Sequence, residues 1–71
     1  MVQSPITLTL NGKQRELAAG ISLVALLGEL DIDRRVIAIA LNGDVLPRDR
    51  YDETVLQDGD NVEVVRMVGG G

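Results

Sequence analysis

Residues 6–30 read ITLTLNGKQRELAAGISLVALLGEL, and the hydrophobic period changes inside this stretch. From Ile6 to Leu10 apolar residues alternate with threonine, the period of two expected of a half-buried strand. Asn11-Gly12 follows. Both residues tolerate positive φ, so the pair predicts a tight turn with Lys13 to Leu17 returning antiparallel, in a register the sequence leaves open. Beyond Gly20 the period becomes helical. Leu23, Leu26, Leu27 and Leu30 fall at i, i+3, i+4 and i+7, with Ser22 placed as N-cap. Such a stripe could serve a partner's groove, but a small domain can hardly spare four leucines, which assigns it to the core. Gly28 costs about 1 kcal/mol relative to Ala inside a helix, and is expected to permit close packing or to mark early fraying.

Downstream, DIDRRV (31–36) reads as a polar connection and VIAIAL (36–41) as a third strand, apolar on both faces. Bulk alternates with alanine there. Ile37, Ile39 and Leu41 are expected to face the helix, with Val36, Ala38 and Ala40 on the other side, in the middle of a sheet. Asn42-Gly43 predicts a second turn, Val45-Leu46 a short strand, and Pro47 its end, because proline lacks a donor. RDRYDETVLQDGDN (48–61) reads as charged turns with a hairpin-like signal at Asp58-Gly59, and Val62 to Met67 as the last strand. A helix between the second and third strands packs across one face of a mixed sheet, so the predicted class is α+β, a two-layer roll.

Composition narrows the chemistry. The chain has 71 residues, the size of one domain. At that size a core supplies only roughly 3–5 kcal/mol of net stability, which argues against a deep catalytic cleft. It contains no cysteine and no histidine, which removes thiol nucleophiles, Ser-His triads, a proton shuttle near neutral pH and ordinary zinc sites. Its net charge is −4 and its one aromatic residue is Tyr51, so neither phosphate attraction nor base stacking favours nucleic acid as a partner. No apolar run approaches the ~20 residues that span a bilayer, and MVQSPITLTL lacks the pattern of a signal peptide. The expected location is the cytoplasm, with no membrane partner and no bound metal or cofactor.

The end of the chain, VEVVRMVGGG (62–71), runs a strand into three glycines. Glycine loses the most backbone freedom on ordering, so the expected division is a folded domain over 1–67 and a flexible tail, Val68, Gly69, Gly70 and Gly71, over 68–71. If Val62 and Val64 point inward, alternation turns Glu63, Val65 and Met67 outward beside that tail. Val65, Met67 and Arg66 are therefore candidate partner-binding residues. Arg48, Arg50 and Arg66 could pair with acids on a partner, but solvation is the expectation for exposed arginines. Asp58 and Asp60 flank a turn glycine and are assigned to turn geometry. Asp31 and Asp33 lack the further ligand spacing of a calcium loop.

The early Asn11-Gly12, the helix SLVALLGEL (22–30), AIALNGDVLPRDRY (38–51), LQDGDNVEVV (56–65) and the terminal VGGG together resemble the ubiquitin-like β-grasp sulfur carriers, most closely the ThiS family of thiamine biosynthesis. No one of these is specific; their order, spacing and terminal position are. Met1 to Pro5 is slightly longer than such carriers usually show. The resemblance implies a β-grasp roll with a mixed four- to five-stranded sheet and one main helix across a face. It also implies that the chain is a protein cosubstrate, not an enzyme. The Gly71 carboxylate would be adenylated by an E1-like, ThiF-type partner that uses ATP and Mg²⁺. A persulfide-type donor such as a cysteine desulfurase would convert it to a thiocarboxylate, which would give its sulfur to a ThiG-type thiazole synthase. Glycine suits this chemistry because a terminal residue without Cβ obstructs attack least, and the preceding glycines let the chain thread a narrow channel. Two rivals stand beside this reading. One is a carrier like the small subunit of molybdopterin synthase, which has the same fold and a Gly-Gly end. The other is a ubiquitin-like modifier or adaptor, although Lys13, the only lysine, disfavours chains of modifiers.

Overall fold

The computed structural model describes residues 4–67, and the expected tail, Val68 to Gly71, lies outside them. Five strands and one helix form two layers: β1 (Ile6–Leu10), β2 (Lys13–Leu17), α1 (Leu23–Glu29), β3 (Ile37–Leu41), β4 (Asp44–Val45) and β5 (Asn61–Arg66). The sheet order is β2-β1-β5-β3-β4, with β1 parallel to β5 and the other neighbours antiparallel. No helix among the described residues is long and apolar enough to cross a membrane.

The period change is realised as read. Leu10 pairs with Lys13 across a two-residue loop, and Asn11 and Gly12 both adopt positive φ (49° and 82°), the geometry of a type I′ turn. That register places Ile6, Leu8 and Leu10 in the core while β2 exposes everything but Leu17. Ser22 caps α1, its side chain accepting from the Ala25 N–H at 3.0 Å. Leu23, Leu26 and Leu27 are buried, and Leu30, at the C-cap, packs partly buried against the same cluster. Complete burial contributes about 1.5–3 kcal/mol for each leucine, enough to hold the helix to the sheet.

Several expectations are corrected. The third strand begins at Ile37, not Val36, because Asp33 caps a 3₁₀ turn over Arg34–Val36 that the polar connection had concealed. Ile37 and Ile39 face the core, whereas Leu41 is only half-buried. β3 lies inside the sheet as expected, between β5 and β4, although β5 takes the central place and β4 covers β3 only at Ala40 and Leu41. β4 spans Asp44–Val45, although the Leu46 N–H still donates to the Ile39 carbonyl at 2.8 Å before Pro47. The charged segment is not loose turns: Arg48–Glu53 forms a second 3₁₀ helix that buries Tyr51 to 1% exposure, and Leu56 after it is equally buried. Asp58-Gly59 makes no hairpin. It runs along β1, where Asp58 Oδ1 accepts from the Thr7 N–H at 2.7 Å and the Gly59 N–H donates to the Thr7 carbonyl at 2.8 Å.

Gly28 is not explained by close packing; it lies in the last turn of α1, whose end is closed by the Asp31 and Ile32 N–H groups donating to the Gly28 and Leu27 carbonyls. A Cβ built there meets nothing within 4 Å, and α1 ends one residue later. Gly28→Ala is therefore expected to stabilise the domain by about 0.5–1 kcal/mol, read as a rise in thermal midpoint; a fall would show that an unseen contact needs the glycine.

Candidate functional site

The end of β5 is the point from which any chemistry in the tail must be presented. Two Asn-Gly turns hold this strand from opposite sides. On the β1 side the Asn11 N–H donates to the Val62 carbonyl at 2.9 Å and its Oδ1 accepts from the Val64 N–H at 2.8 Å, so one turn residue extends the ladder after β1 has stopped. On the β3 side the Asn42 N–H donates to the Asn61 carbonyl at 2.8 Å and its Oδ1 accepts from the Asn61 N–H at 2.9 Å. Asn42 Nδ2 also donates to Asp60, whose other oxygen accepts from the Gln57 N–H. Asp58 and Asp60 thus set turn geometry, as expected, and also bind neighbouring segments.

Alternation along β5 is as read. Val62 is fully buried and Val64 half-buried, while Glu63 and Val65 are exposed, Val65 at 59%. Met67, just past the strand, is 55% exposed. Its N–H donates to the Val36 carbonyl at 2.8 Å, extending the antiparallel pairing in which Arg66 opposes Ile37 and Val65 opposes Ala38. Val36 (42% exposed) therefore joins Val65 and Met67 in an uncovered apolar area at the sheet's end.

One arginine is seen to reach it: Arg48, through Met67. Arg66 opposes the buried Ile37, so alternation turns it to the other face of the sheet from Val65 and Met67, and it takes part in none of the three ion pairs among the described residues. Arg48 departs from the expected solvated state. Its guanidinium donates to the Arg34 carbonyl at 2.9 Å, to the Ile37 carbonyl at 2.9 Å and to Met67 Sδ at 3.2 Å. Arg50 pairs with Glu53 one helical turn on, at 3.4 Å. The sequence reading missed two further residues: Arg34 bonds Asp52 at 2.7 Å and lies 5.4 Å from the centre of the buried Tyr51 ring, locking one 3₁₀ segment to the other. The signal for Tyr51 was its singularity, since a small core seldom leaves its only aromatic outside.

The acids here are structural. Asp33 Oδ1 accepts from the Arg35 N–H at 2.9 Å, and its carboxylate is forked by the Arg35 guanidinium, which holds its pKa at about 2 against an ordinary 3.8. A hydrogen bond from Arg34 likewise lowers that of Asp52. Both groups have depressed folded-state values, so their stabilisation is present above the unfolded pKa and disappears as pH falls through the folded one. Asp33→Asn is expected to shrink the loss of stability between pH 4 and pH 2 relative to the parent, followed by acid titration of the circular dichroism signal. An unchanged acid limb would show that the pair contributes nothing.

Comparison with known proteins agrees with this architecture. The ThiS family model matches residues 8–71. The crystal structure of the thiamine biosynthesis protein ThiS from Geobacter metallireducens superposes with a TM-score of 0.80 at 36% identity, covering 93% of this chain and 100% of that one. The sulfur carrier protein ThiS of Escherichia coli is 31% identical over 61 residues, 86% of this chain and 92% of that protein. A thiazole synthase from Paramagnetospirillum magneticum is 39% identical over 64 residues, and there the match spans 90% of this chain but 20% of the relative's length.

Proposed function

The chain belongs to the ThiS family, with the ubiquitin-like β-grasp fold of its structural neighbours, and on that footing we propose that it carries sulfur for thiamine biosynthesis on the carboxyl group of Gly71. The observation that carries this reading is the mounting of β5. The strand is interior to the sheet, Asn11 and Asn42 bond its backbone from the two flanks, and Met67 is tied to Val36 immediately before the tail. The folded domain is a handle. It offers a partner the apolar area of Val36, Val65 and Met67 and delivers the chain's end from a fixed origin.

The chemistry then needs no side chain of this protein. A carboxylate offers a sulfur nucleophile only oxide as leaving group. Adenylation by a partner with ATP and Mg²⁺ releases pyrophosphate and replaces that oxide with AMP. A persulfide sulfur from a donor such as a cysteine desulfurase displaces AMP, and cleavage of the S–S bond by a second thiol leaves the thiocarboxylate. The acceptor is a thiazole synthase. Support for that partner comes from the relative of that name, in which a segment similar to this chain forms a fifth of the protein (20%). The same relatives favour the thiamine reading over a molybdopterin synthase subunit or a protein modifier.

Val65, Met67 and Arg66 are assigned to docking on the activating enzyme. Exposed apolar residues with a charged neighbour in the chain fit the general anatomy of a transient interface, in which a few central residues dominate affinity. With the activating enzyme of the same organism and ATP, the full chain is expected to support pyrophosphate release and a form lacking Gly70 and Gly71 to support none. Met67→Asp should lower kcat/KM by about tenfold or more, roughly 1.4 kcal/mol, with the fold intact. Equal release from the full and shortened chains overturns the reading, and unchanged kinetics for Met67→Asp removes the docking assignment.

A further inference from the structure

Arg48 has no chemistry to perform on a carboxyl group, yet its side chain is committed to the segment that precedes the tail. Its three recorded acceptors lie on different parts of the chain: the carbonyl of Arg34 in the first 3₁₀ turn, the carbonyl of Ile37 at the start of β3, and the thioether of Met67 after β5. The Ile37 carbonyl stands where β3 has no strand beside it, because β4 pairs only with Ala40 and Leu41. The guanidinium therefore takes the place of a missing neighbour strand. Arg34 reaches back across the same gap, with Nη2 lying 3.5 Å from the Arg48 carbonyl while Nη1 bonds Asp52.

Two linked holds thus converge on Met67. Its backbone is fixed through the Val36 carbonyl and its side chain through Arg48, while Val36 belongs to the very turn whose Arg34 carbonyl Arg48 grips. Planar guanidinium geometry matters in such a place. One rigid fork serves several acceptors at fixed angles, whereas an ammonium acts as a point charge on a flexible stem.

We propose that Arg48 is a positioning residue for the tail: by tying Met67 to the 3₁₀ turn and to β3, it fixes the point on the domain from which the chain's last four residues start. The inference rests on the reading of Gly71 as the reactive end. Its consequence falls on turnover more than on binding. A partner still grips the apolar area around Val65 when Arg48 is lost, but the chain's end is placed less well at the adenylation site. Misplacement of a reacting group by about an ångström is sufficient for large rate losses.

Arg48→Met keeps the length and apolar stem of the side chain and removes every donor. For this variant the expected results are a native circular dichroism spectrum, a fall in kcat for pyrophosphate release on the order of tenfold with KM nearly unchanged, and exchange of the Met67 amide hydrogen faster by roughly tenfold. Arg48→Lys, which keeps charge and some donors, is expected between the two in both readouts. Unchanged kcat in Arg48→Met overturns the proposal, as does a lowered kcat with unaltered Met67 exchange, which would mean that Arg48 touches the partner directly. If Arg48→Met does not fold, Arg48→Lys decides, and equality with the parent in both readouts overturns the proposal. Failure of the parent chain itself to release pyrophosphate would instead contradict the assignment of Gly71, leaving Met67 exchange to judge the hold of Arg48.

Discussion

The backbone of β5 is the constraint on which the rest of the molecule depends. A last strand at a sheet's edge would leave one row of N–H and C=O groups to water and would fray toward the chain's end. Here that strand enters between β1 and β3, and Asn11 and Asn42 bond groups at Asn61, Val62 and Val64 that its partner strands do not reach. Pairing parallel to β1 is possible because the helix and the 3₁₀ segments lie between the two strands in the chain. The hydrophobic stripe of α1 covers one face of the sheet. Val62, wholly buried in the centre, joins the strand to that core.

The chain as a whole is acidic, with a net charge of −4, while Arg48 reaches Met67 just past the end of β5. Arg34 and Arg48 are bound into the domain and shape it, Arg35 pairs with Asp33, and Arg66 stands on β5 itself, between Val65 and Met67 in the chain.

Much of this was legible because local rules suffice for it. The Leu23, Leu26, Leu27, Leu30 spacing, the Ser22 cap and the two Asn-Gly turns each carry their own geometry, and the outward set of Val65 and Met67 follows from alternation once Val62 is inward. What stayed hidden depends on groups distant in the chain. Which strand takes the very centre is a matter of long-range pairing: the apolar VIAIAL run read as interior and is so, whereas nothing local in VEVVRM marks it as the central strand. The 3₁₀ segments gave no periodic signal, since a turn of three residues leaves too short a pattern among charged side chains. Arg48 reads as a solvated arginine because its acceptors are 11, 14 and 19 positions away, two of them backbone carbonyls without a sequence signature.

The central claim is that the folded domain holds and presents the chain's final carboxyl group, where sulfur is loaded. Intact-mass analysis after incubation with the activating enzyme, ATP and a persulfide donor tests it most directly, followed by fragmentation to locate the change. The account predicts a product in which one oxygen is replaced by sulfur within the fragment ending at Gly71. Sulfur found on any other fragment, or a larger conjugate joined through Gly71 to a lysine, would contradict it.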